Sequence, residues 1–115
     1  MLTVEQMIGR NKGEAICSRL KAFGLHPVWL EAAAGRIAIG FEFLTDAPTW
    51  TRAFYVDADK ATPEAFIREI NAWKNEVRRA IVAGKPSAVV KGAIEWHGMG
   101  AVLDAMDDTP MEAVH

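Results

Sequence analysis

The chain has 115 residues, half of them apolar and 24% charged, with a net charge of −2. That balance builds one ordinary core, gives no general attraction to nucleic acid or anionic membrane, and contains no run near the ~20 apolar residues of a membrane span. The single cysteine, Cys17, excludes an internal disulfide and leaves too few thiolates for a structural zinc site.

Two capping boxes open the chain: Thr3-Val4-Glu5-Gln6 and Asn11-Lys12-Gly13-Glu14 each place a short polar residue three before Gln or Glu. They predict either two short helices broken near Gly9 or one helix with a weak point there. Ile16, Leu20 and Phe23 form the apolar stripe, Gly24 ends it, and Cys17 reads as a buried small hydrophobe. Met1 to Gly9 lacks a continuous apolar run and carries Glu5, which is no secretory signal, so a cytoplasmic location is expected.

Three strands follow. In the first, Val28, Leu30 and Ala32 alternate with Trp29, Glu31 and Ala33, and Ala34-Gly35 suits a turn. Arg36 to Phe43 is the clearest strand, with Ile37, Ile39, Phe41 and Phe43 on one side and Arg36, Ala38, Gly40 and Glu42 on the other. Thr45-Asp46-Ala47-Pro48 reads as a turn or short loop before a third strand, Trp50 to Asp57. There Phe54 and Val56 face inward beside outward Thr51, Ala53, Tyr55 and Asp57. The alternation also turns Arg52 inward, where it needs a partner, a bulge or the sheet's end.

Thr62 to Gly84 is the best-marked helix. Thr62 caps it, Pro63 suits the first helical position, and Phe66, Ile70, Trp73, Val77 and Ile81 line one face. Gly84 permits a left-handed stop and Pro86 blocks continuation. Ser87 then caps a further helix through Val89, Val90, Ala93, Ile94 and Trp96. A break is expected near His97-Gly98-Met99-Gly100, then a short helix through Val102, Leu103 and Met106, with residues 106–115 as a frayed tail. The fold class is therefore α+β over a single domain, residues 1–115. A three-stranded antiparallel meander is covered on one face by helices, in the order α-β-β-β-α-α.

The functional candidates are surfaces rather than catalytic sets. An open sheet face would present Trp29, Ala38, Gly40 and Tyr55, with Trp50 and Arg52 beside it. Small residues there would admit another surface, unless the C-terminal helix covers the face with Val90, Ile94 and Trp96. Trp50 is readable as exposed or core, and Arg52 as stacked on it or paired with an acid; Trp73 reads as core. Lys74, Arg78, Arg79 and Lys85, within the basic span Arg68 to Lys91, form an alternative phosphate-binding stripe. Cations near a helix C-terminus also have the simpler role of complementing its dipole. Asp57, Asp59 and Glu64 are turn and helix-start acids before they are metal ligands.

His26, His97 and His115 have no partner spacing for ligation or acid–base work, and Gly98-Met99-Gly100 lacks the context of a phosphate loop. Helix, three antiparallel strands and helix is also the element order of double-stranded RNA-binding domains, which grip phosphates with lysines at the start of the second helix. Here that position reads Ala61-Thr62-Pro63-Glu64 with only Lys60 nearby, so topology alone is shared. The expectation is a non-catalytic protein-binding module, an adaptor or inhibitor, acting on another protein or on its own copy as a homodimer. It is expected to use the open sheet face or the C-terminal helix, with no cofactor, metal or membrane; nucleic-acid binding is the lesser alternative, and a small enzyme, which would need a concave pocket gathering His26, Asp57, Asp59 or Cys17, is the second.

Overall fold

The computed structural model describes residues 3, 6, 8–44 and 49–107. Gly9, at φ 85°, separates helical Gln6 and Ile8 from helix α1 (Arg10–Ala22). The first capping box forms in full: the Thr3 N–H donates to Gln6 Oε1 at 2.8 Å and the Gln6 N–H to Thr3 Oγ1 at 3.2 Å. The second does not. Helix α1 starts before Asn11, at a Gly9 cap with no side-chain hydrogen bond, and Glu14 instead pairs with Arg10 on the exposed surface. Positive-φ Gly24 closes α1, as its missing Cβ allows.

Strands β1 (Pro27–Ala33), β2 (Arg36–Leu44) and β3 (Trp50–Asp57) form one antiparallel sheet in sequence order. Ala34 (φ 49°) and Gly35 (φ 82°) make the two-residue turn between β1 and β2, the doubly left-handed geometry that matches strand twist. Two irregularities break the simple alternation. One lies between Pro27 and Trp29, and there Val28 is exposed instead of inward. The other lies between Glu42 and Leu44, so Phe43 and Leu44 both pack against core residues and Leu44 pairs with Trp50. Residues 45–48, read as a turn, lie outside the described residues.

A 3-10 turn (Ala58–Lys60) leads into α2 (Pro63–Val82). The Ala65 N–H donates to Thr62 Oγ1 at 3.2 Å and Pro63 occupies the first turn, as the sequence pattern implies. Helices α3 (Ala88–His97) and α4 (Met99–Asp107) are divided at Gly98, φ 95°. The Val90 N–H donates to Ser87 Oγ at 3.3 Å to cap α3. The chain stays helical to Asp107, and Met106 is fully buried, so the tail does not fray from 106; residues 108–115 lie outside the described residues.

The core has two parts. Ile37, Ile39, Phe41, Phe54 and Val56 make the sheet wall, covered by Ile16 and Leu20 of α1 and by Phe66, Ile67 and Ile70 of α2. Trp50, Val77, Val90, Val102 and Met106 form a second cluster, where α3 and α4 close over the Leu44–Trp50 end of the sheet. Phe43 and Trp73 border both clusters, their ring centroids 4.8 Å apart. Trp50 is thus core, 8% exposed and 5.5 Å from the Trp73 centroid, because the C-terminal helices bury it.

Candidate interaction surface

Among the described residues, the sheet has one side against the helices and one side open. Register places three cross-strand rows on the open side: Trp29–Gly40–Ala53, Glu31–Ala38–Tyr55 and Ala33–Arg36–Asp57, with Glu42 paired to Thr51 beyond them. Trp29 is 40% exposed and Tyr55 44%. The C-terminal helix does not cover them. Val90 is buried in the second cluster, Ile94 packs against that cluster, and Trp96 projects outward at 68% exposure.

The face is not the shallow notch that its small residues suggest. A Cβ on Gly40 would lie 2.2 Å from Trp29 Cε2 and Nε1, so the indole occupies the space above the glycine. Gly40 makes room for the chain's own tryptophan, not for an incoming surface. Ala38, between Glu31 and Tyr55, is fully buried. What projects is Trp29 and Tyr55 within a ring of charges. Arg36 is among them, its guanidinium carbon 5.0 Å from the Tyr55 ring centroid.

Trp50 and Arg52 fall outside this face. Arg52 pairs with Phe41 on the core side, and its guanidinium lies 5.1 Å from the Trp73 centroid and 5.4 Å from that of Phe54. Those rings are the partner its inward position requires, in place of Trp50 or an acid. The cation keeps its solvent access while its stem covers aromatic edges.

The basic stripe does not assemble. Lys74 is 2% exposed, with Nζ 5.6 Å from the Phe43 centroid, because α4 and the Phe43 end of β2 enclose that flank of α2. Arg78 is occupied: it donates to the Met106 carbonyl, to Asn75 Oδ1 and to Asp107 Oδ1 at 3.4 Å, tying α2 to the end of α4. Arg79 and Lys85 remain exposed, without the two neighbours that would make a continuous phosphate track.

Two clefts flank the sheet, the second of them predominantly polar. One, about 390 Å³, is lined by His26, Glu42, Lys74 and Asp104; the other, about 280 Å³, by Arg36, Tyr55, Asp57, Lys60, Arg68 and Glu69. The groups an enzyme pocket would have to gather are dispersed: His26 borders the first, Asp57 the second, and Cys17 and Asp59 neither. Burial raises the Cys17 thiol above its ordinary pKa, against a smaller lowering by Lys21, so the reactive thiolate is disfavoured. Among the described residues no three His, Cys, Asp or Glu side chains are placed to hold one metal ion, and no helix is long and apolar enough to cross a membrane. A third, more apolar groove of about 230 Å³ lies along α3, between Trp50 and the exposed Val89 and Trp96.

Sequence reasoning missed the burial of Lys74. Its signal was present, since Ile67 and Lys74 are seven residues apart and share a flank of α2. A lysine on that flank reads as solvent-facing until a second helix is placed over it. Compared with protein-family models, curated proteins and solved structures, the chain matches none of them.

Proposed function

We propose that this chain is a small, non-catalytic, cytoplasmic protein-binding module, of the adaptor or inhibitor kind, whose contact surface is the open sheet face. The observation that carries the reading is the pair Trp29 and Tyr55, both substantially exposed on the face left uncovered by the helices. Tryptophan and tyrosine are the side chains that dominate protein interfaces, and here they stand on paired strands that hold their positions before binding. The surrounding Glu31, Arg36, Glu42 and Asp57 make a mixed polar rim, a pattern suited to a protein surface rather than a phosphate backbone.

The test compares partner capture by the natural chain and by Trp29→Ala and Tyr55→Ala, after circular dichroism shows both variants folded. Each substitution is expected to weaken capture about tenfold or more, with little change between low and high salt. Capture that survives both substitutions, or that vanishes with salt and with Arg79→Glu or Lys85→Glu, overturns the reading.

A further inference from the structure

We infer that the open face docks on a second copy of this chain, face to face, about a two-fold axis lying in the interface and running across the strands. This rests on the protein-binding reading of that face and names its partner. Two two-fold arrangements bring the open faces of a three-stranded sheet together with strands aligned, as packed sheets prefer. With the axis along the strands, each cross-strand row meets its own copy. Arg36 would then face Arg36 and Glu42 face Glu42, leaving like charges opposed at both ends of the β2 face.

With the axis across the strands at Ile39, every strand lies over its own copy and the order of the rows reverses. Arg36 then faces Glu42 of the other copy, twice over, across a face spanning the seven residues Arg36 to Glu42 of β2, or about 20 Å. The row Glu31–Ala38–Tyr55 meets the row Trp29–Gly40–Ala53. That sets Tyr55 over the small Ala53 and brings Glu31 to Trp29, whose indole N–H is a donor seeking an acceptor once water is excluded. This arrangement matches Arg36 with Glu42 in charge, Tyr55 with Ala53 in size and Trp29 with Glu31 in hydrogen bonding, and it sets Asp57 over the neutral Thr51. A face three strands wide is at the small end of specific interfaces, so the dimer forms reversibly with rising concentration.

Sedimentation velocity on the full chain, from about 1 µM to about 500 µM, reads the equilibrium directly. The natural sequence is expected to shift from monomer to dimer within that range. Arg36→Glu and Glu42→Arg should each weaken self-association about tenfold or more. An equimolar mixture of the two variants should restore it, because each then supplies the charge the other lacks, and the doubly reversed chain should also dimerise. If a reversal disturbs folding, Arg36→Gln and Glu42→Gln replace it and should weaken association several-fold.

A natural chain that stays monomeric throughout overturns the inference. So does a dimer indifferent to the charge changes, or a variant mixture that fails to associate. These outcomes are separable from failure of the protein-binding reading. A different partner whose capture depends on Trp29 and Tyr55 would leave that reading standing without self-association.

Discussion

Gly40 carries a different role from the one its size suggests. Small residues inside a sheet commonly mark a close approach, and here the approaching group is the indole of Trp29 on the neighbouring strand. Gly40→Ala is therefore expected to push Trp29 outward, raising the fraction of tryptophan emission quenched by iodide, with Trp29→Phe as the control that removes the change. Ala34 is the described non-glycine residue at positive φ, and it occupies the first position of a turn that favours asparagine. Ala34→Asn should stabilise the fold by about 0.5–1 kcal/mol, read from the urea midpoint. Burial also shifts the titration of the Cys17 thiol. Its folded-state pKa lies above the unfolded value, so the associated stability is complete below the unfolded pKa and is lost as pH rises through the folded one. Unfolding free energy should thus decline on the alkaline side, from about pH 8.5 upward, and Cys17→Ser should flatten that decline.

At the scale of elements, α2 is the organising piece. Its apolar stripe was legible because five residues recur at three- and four-residue spacing between a capping threonine and a terminating glycine. The stripe is wider than the periodicity implies. Ile67 and Lys74, on one flank, are also buried, since α1 and α4 both pack against α2. No pattern within α2 encodes α4, which returns from a separate part of the chain to close that flank. The Arg78 contact with the Met106 carbonyl fastens this closure, so Arg78→Ala should cost about 1–2 kcal/mol. It should also raise hydrogen exchange selectively within Met99–Asp107. The strands show the same division. Alternation locates them, whereas the offsets at Val28 and Phe43 arise only when neighbouring strands pair around a twist.

For the molecule as a whole, the two core clusters are joined through Phe43 and Trp73, which touch both. Trp73 stands within 5.5 Å, centroid to centroid, of Phe43, Trp50 and Phe54, so its removal opens the junction and not one cluster alone. Trp73→Ala is expected to cost about 3–5 kcal/mol. Thermal unfolding should broaden or divide as the C-terminal helices uncouple from the sheet, whereas the natural chain is expected to unfold in a single transition. The open face lies on the opposite side of the sheet from this junction. Substitutions at Trp29 and Tyr55 should therefore change binding while leaving the core transition nearly in place.

Local pattern determined the elements of this protein. Helix starts, strand faces and the stops at Gly24, Gly84 and Gly98 follow from capping chemistry, side-chain period and the freedom of glycine at positive φ, all of which act within a few residues. Tertiary structure decided which exposed-looking groups stayed exposed. Trp50 and Lys74 went under the C-terminal helices, Arg52 found the ring of Trp73, and Trp29 settled over Gly40. The physical reason is that burial depends on what arrives from elsewhere in the chain. A side chain's own neighbours in sequence give its direction, and only the packed fold gives it a cover.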